Sequence, residues 1–248
     1  MSLQIKYYNQ NNYASFPYPS ATNKAATIKS GGCGVCCSSM IAETLTGQAF
    51  DPPTAAKFAI ANNARVSGGT NMRVMSKAIA DKFRLELSTT SDENTLLAHL
   101  KSGGLAIANV GGDRKAVGYI GVFSDGGHYV VVGGAVNDTV SVYDPGLYAG
   151  KFNKAGRKGK VGIVGHECKC NISVLAQDTA NRSPAYYLFS KKEIKKEVAK
   201  VATKTGVSGW AEKAAEWAVK KGITDGQDPQ KPVTREEVWV MLYRLANK

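Results

Sequence analysis

The sequence predicts an α+β fold, with N-terminal helices packed on an antiparallel sheet and a small C-terminal helical module. Three observations predict it. Apolar residues recur at helical spacing up to Lys101, then switch to short strand-like runs after Gly104. A hydrophobic content of 43% over 248 residues is enough to build a sizeable core. Near Ser190 the composition turns lysine-rich, and beyond it a tryptophan-bearing helical pattern begins. The expected organisation is therefore a main domain over 1–190, a lysine-rich helix and linker over 191–205, and a helical module over 206–248.

Residues 1–32 are polar and tyrosine-rich and read as an irregular lead-in with one short strand near Ile5–Tyr8. Gly34–Leu45 reads as a helix ended by Gly47. Helices are expected at Thr54–Asn63 and at Asn71–Phe83, the second with Thr70 as N-cap. A strand at Arg84–Ser88 leads to a helix at Asp92–Lys101 capped by Ser91. Strands are then expected at Leu105–Val110, Val117–Val122, Tyr129–Val136, Thr139–Tyr143, Val161–Val164, Asn171–Leu175 and Tyr186–Phe189. In the tail, Trp210, Ala214, Trp217 and Ala218 recur at helical spacing. Thr234-Arg235-Glu236-Glu237 reads as a capping box before Val238, Met241, Leu242 and Leu245. Some 43 residues seldom fold alone, so the module is expected to dock on the main domain, a second copy or a ligand.

The net charge is +12 and the pI about 9.4, which points to an anionic partner. Lys151, Lys154, Arg157, Lys158 and Lys160 form one basic loop, and Lys191, Lys192, Lys195, Lys196, Lys200 and Lys204 a second cluster. No nucleic-acid motif accompanies them, so nucleic acid is not an expected partner. No apolar run approaches the ~20 residues a membrane span needs. The N-terminal residues lack a signal core, so the protein is expected either to stay inside the cell that makes it or to leave without the usual export route.

The five cysteines, Cys33, Cys36, Cys37, Cys168 and Cys170, lack the spacing of a disulfide framework. His166-Glu167-Cys168-Lys169-Cys170 resembles a metal cluster but reads better as paired small core residues, and no metal or cofactor is expected. The chemistry lies elsewhere. Cys33 follows Gly31-Gly32 and opens a helix, where unpaired N–H groups and the helix dipole favour thiolate. His128 stands at the mouth of a strand and Asp144 at the end of the next. A hairpin turning at Asn137-Asp138 can bring those two together, giving a nucleophile, a base and an orienting acid.

Thr27 to Gly34, Leu45-Thr46-Gly47, Gly127 to Gly133 and Val142-Tyr143-Asp144-Pro145 resemble the C39-like branch of papain-fold cysteine peptidases. Tyr7-Tyr8-Asn9-Gln10 resembles the lead-in that carries that family's oxyanion glutamine. The resemblance implies a papain-like fold with Cys33 as nucleophile, His128 as base, Asp144 as orienter and Gln10 as oxyanion donor. Cys33-Gly34-Val35-Cys36 also resembles the Cys-Gly-x-Cys of the papain branch, which would make Cys36 the nucleophile.

The tail, through Trp210-Ala211, Trp217-Ala218, Gly222 to Gly226 and Val233 to Glu237, resembles a single S-layer-homology motif. Together the two parts resemble a bacteriophage endolysin of a Gram-positive host. That implies hydrolysis of amide bonds in peptidoglycan peptides, residence in the host cytoplasm until release and then at the cell wall, with peptidoglycan and anionic wall polymers as partners and self-association through the tail as a further option. Rival expectations are a leader-peptide protease and a non-catalytic wall-binding or assembly protein.

Overall fold

The computed structural model describes residues 4–192, 207–224, 226 and 230–247. It divides into two compact units, Met1–Lys192 and Glu193–Lys248. In the first unit the elements run α1 (Ile28–Gly31), α2 (Cys33–Thr46), α3 (Pro52–Ala61), β1 (Arg65–Val66), β2 (Gly69–Thr70), α4 (Met72–Phe83), β3 (Leu85–Thr90) and α5 (Glu93–Lys101). They continue with β4 (Leu105–Val110), β5 (His128–Val136), β6 (Thr139–Tyr143), β7 (Gly162–Val164), β8 (Glu167–Asn171), α6 (Ile172–Thr179) and β9 (Tyr186–Lys191). The architecture is α+β, as the sequence predicts.

Seven strands form one antiparallel sheet in the order β3-β9-β4-β5-β6-β8-β7. Its faces follow from the two-residue alternation of a strand. Leu105 and Ile107 of β4 face α2 and α4 through Val35, Met40, Ile41 and Met75. Ala106 and Ala108 face the opposite side, with Leu96, Leu97 and Leu100 of α5 and Leu175 of α6. Helices therefore cover both faces. The interior strand β4 is buried almost throughout, which accounts for an apolar run broken only by the half-buried Asn109.

Several elements differ from expectation, each for a physical reason. Residues 5–8 join no ladder; Lys6 N–H bonds the Thr44 hydroxyl and the two tyrosines turn their rings to partners instead. The N-caps are Asn71 and Asp92, not Thr70 and Ser91, because the longer carbonyl-bearing side chains reach the Arg73 and Thr95 N–H groups. Thr70 instead hydrogen-bonds Tyr18, and Ser91 accepts from Ala185 N–H. Val117–Val122 is not a strand. Glycines 118 and 121 break it, and the segment folds around the buried Asp178 carboxylate, which accepts from Tyr119 Oη at 2.6 Å, Val122 N at 2.7 Å and Phe123 N at 2.8 Å. Asn171–Leu175 is helical beyond Asn171, whose side chain caps α6 through Ser173 N–H.

Asp178 thus anchors the loop that leads into β5. Asp178→Ala strands two buried N–H donors, of Val122 and Phe123, and frees the half-buried Tyr119 hydroxyl, and is expected to cost about 3 kcal/mol. A drop of several degrees in Tm, measured by calorimetry, checks this; a change too small to resolve would remove the anchoring role.

The second unit carries α7 (Glu212–Lys220) and α8 (Arg235–Ala246). The Thr234–Glu237 capping box is formed as expected, with Thr234 N–H on Glu237 Oε2 at 2.7 Å and Glu237 N–H on Thr234 Oγ1 at 3.2 Å. Trp210, Trp217 and Trp239 are all exposed. The lysine-rich helix expected near 191–203 lies, beyond Lys192, outside the described residues, and Ser190 and Lys191 belong to β9. Among the described residues no helix is long and apolar enough to cross a membrane.

Candidate active site

The nucleophile candidate stands on a corner between two helices. Gly32 ends α1, its N–H bonding Ile28 O at 2.7 Å, and accepts Cys36 N–H as the N-cap of α2. Cys33 is therefore the first residue of α2, as the sequence predicts. A Cβ at Gly32 would lie 2.4 Å from Ile28 O, so only glycine fits. Gly34 is equally constrained: its Cβ would meet the Thr70 side chain at 2.6 Å. That close approach seats β2 against the start of α2. Gly32→Ala is expected to displace the corner and lower both the Tm and the alkylation rate of Cys33; an unchanged rate and Tm would show that the corner relaxes freely.

His128 opens β5 and Asp144 follows β6. His128 Nε2 lies 2.8 Å from Asp144 Oδ1, so the other ring nitrogen, Nδ1, is the one that faces Cys33. A β-bulge between Val132 and Gly134 sets this geometry. The register beyond it pairs Val131 with Tyr143 and, carried one residue on, sets Asp144 opposite Val130. Asp144 then shares a face with Val130 and His128. Without the extra residue it would oppose Val131 and project to the other face.

Electrostatics follow from these contacts. Burial raises the Cys33 thiol, but the hydrogen bond and charge of His128, with N–H donation from Tyr129 and Gly34, outweigh it and leave the thiol lowered. Burial lowers His128, yet Asp144 and Cys33 together raise it from 6.5 to about 9. Asp144, fully buried, is raised by burial but drawn down to about 2 by His128 and Lys151. The other thiols go the opposite way. Burial pushes Cys36 and Cys37 well up, and Cys168 and Cys170 to about 12. Cys36 lies in the core with no exposed surface, one turn below Cys33. Cys168 and Cys170 of β8 point to one face and are core residues.

Gln10 sits in a single 3₁₀ turn, Gln10–Tyr13. Its N–H bonds Pro145 O at 2.7 Å and its Nε2 bonds Lys29 O at 2.8 Å, while Oε1 is buried without a partner. The lead-in thus brings Gln10 between the turn after Asp144 and the helix before Cys33. Tyr7 and Asn9 fasten the same turn: Tyr7 Oη donates to Asp144 O and Asn9 Nδ2 to Leu147 O, each at 2.7 Å.

Two cations of the basic loop are absorbed by the fold. Lys151 is 6% exposed and reaches Asp144 Oδ2 at 2.5 Å. Arg157 is 2% exposed and spans Gly121 O and Asp125, which Lys154 also meets. Lys151 and Arg157 are therefore internal ties, while Lys154, Lys158 and Lys160 remain exposed. Sequence reasoning missed Lys151 at the site because five neighbouring cations look alike in composition; only its place seven residues after Asp144 hinted at it.

No protein-family model matches the chain, and no curated protein matches it. Among solved structures, a C39-like peptidase from Bacillus anthracis is similar, at 11% identity and a TM-score of 0.49, over 76% of this chain and 96% of that chain.

Proposed function

We propose that the chain is a cysteine peptidase that hydrolyses amide bonds in bacterial peptidoglycan peptides, as an endolysin does. The observation that carries the reading is the connected set Cys33–His128–Asp144, in which Cys33 alone of five cysteines has a thiol pushed down rather than up. A lowered thiol beside a protonated imidazole is the state that attacks a carbonyl.

In this reading the Cys33 thiolate adds to the amide carbonyl. The oxyanion accepts from the Cys33 N–H and from the Gln10 amide, whose Nε2 has a second hydrogen beyond the one on Lys29 O. His128 Nδ1 gives its proton to the leaving amine, then takes one from the water that releases the acyl group. Asp144 holds the ring by Nε2 throughout. The wall as substrate is supported by the net charge of +12 and by the resemblance of the tail to a single wall-binding motif.

Zymography on purified Gram-positive walls tests the proposal. Clearing by the wild type and none by Cys33→Ala is expected. Equal binding without clearing by both proteins would make the chain a wall-binding protein instead. Clearing by neither, with cleavage of leader peptides, would move the peptidase to another substrate.

A further inference from the structure

We propose that Lys151 is a positioning residue of this site: seated behind Asp144, it holds the carboxylate toward His128 and balances the charge of the reacting group. This rests on the reading of Cys33, His128 and Asp144 as that group. Nothing in the activity described above requires a lysine.

The geometry assigns each carboxylate oxygen its own partners. Asp144 Oδ1 accepts from His128 Nε2 at 2.8 Å and from Gly146 N at 2.7 Å. Oδ2 accepts from Lys151 Nζ at 2.5 Å, and the same ammonium donates to Gly146 O at 3.2 Å. The carboxylate is thus gripped on both oxygens, and rotation about its side chain would break the lysine contact and the histidine contact together. Gly146 completes the arrangement, since a Cβ there would press on the His128 ring at 3.2 Å.

Charge supplies the second argument. Asp144 has no exposed surface, Lys151 is 6% exposed and the His128 side chain 10% exposed. Buried charges persist only when paired. Thiolate, imidazolium, carboxylate and ammonium alternate in sign and sum to zero.

The other titratable groups around them do not disturb that sum. Cys37 on α2, Tyr7 in the lead-in and Cys168 on β8 all sense Asp144, and burial raises each, keeping them neutral at neutral pH. Asp125 senses Lys151 but is paired with Lys154 and Arg157. Tyr148 lies beneath the ammonium at 6.0 Å.

Removing the ammonium would leave the site with net negative charge. That disfavours the Cys33 thiolate and favours the His128 imidazolium, so both should titrate at higher pH. A lysine that only fills space would do neither.

The test measures alkylation of Cys33 by iodoacetamide as a function of pH, with melting temperatures, for the wild type, Lys151→Met, Asp144→Asn and the double variant. Lys151→Met is expected to move both inflections of the profile up by about one pH unit. In the Asp144→Asn background the same substitution removes an uncompensated buried cation, so the double variant should melt at or above Asp144→Asn alone. Unmoved inflections in Lys151→Met would overturn the proposal. Should Lys151→Met fail to fold, the second comparison decides: a double variant that melts below Asp144→Asn marks Lys151 as packing only. Neither readout uses a substrate. A chain that shows both shifts yet clears no wall would sink the wall-lytic reading and leave the role of Lys151 at the site standing.

Discussion

Cys33→Ala is expected to abolish the proposed hydrolysis and to leave the fold in place. The expected loss is complete within assay background, because no other thiol can take over: Cys36 and Cys37 have no exposed surface, and burial raises both. The fold survives because Cys33 is only partly buried and lies at the tip of α2, outside both hydrophobic clusters. The same asymmetry governs labelling. Brief treatment with iodoacetamide at neutral pH should add one group to the wild type and none to Cys33→Ala, read by mass spectrometry. Labelling of Cys36 ahead of Cys33, with activity lost, would transfer the nucleophile to the position favoured by the papain-branch resemblance.

His128→Ala has the next largest effect. In the proposed reaction it removes the proton donor to the leaving amine and the cation that holds the thiolate. A general acid–base group contributes about 10²–10⁴ in rate, so a loss in that range or greater is expected. A loss under about tenfold would rule out that role. The pH dependence carries the sign. In the wild type the thiolate–imidazolium pair forms above the lowered Cys33 pKa and is lost as His128 deprotonates through about 9. Activity should therefore fall on the alkaline side near 9, and Cys33 in His128→Ala should alkylate slowly at neutral pH.

Stability follows the same groups. The His128 contribution is full below 6.5 and disappears as pH rises through about 9. The Asp144 contribution is full above 3.8 and disappears as pH falls through about 2. The wild-type Tm should gain most from this pair between pH 3.8 and 6.5.

Much of the frame was legible because its causes are local. Gly32 and Gly47 punctuate α2, and the helix starts at Cys33 for reasons contained in Thr27 to Gly34. The apolar run Leu105–Val110 and the alternation through Thr139–Tyr143 specify β4 and β6 to the residue. Asn137, at φ 51°, makes the turn that the sequence assigned to it. Misreadings arose where a distant partner overrode propensity. Val122 has strand character, but its N–H belongs to Asp178, 56 residues away. Asn171 ends β8 and its side chain caps α6, so the residues after it turn helical.

By itself the sequence determined that a cysteine would top a helix and that a histidine and an aspartate would flank a hairpin. These are consequences of neighbours within a few residues. Whether His128 and Asp144 share a face depended on one extra residue between Val132 and Gly134, and a bulge leaves no fixed mark in a run of valines and glycines. Which of the clustered cations meets Asp144, and that Gln10 folds back between Pro145 and Lys29, were decided by chain packing. A long-range hydrogen bond or ion pair is specified by where two distant segments are held in space, and one-dimensional spacing carries no record of that.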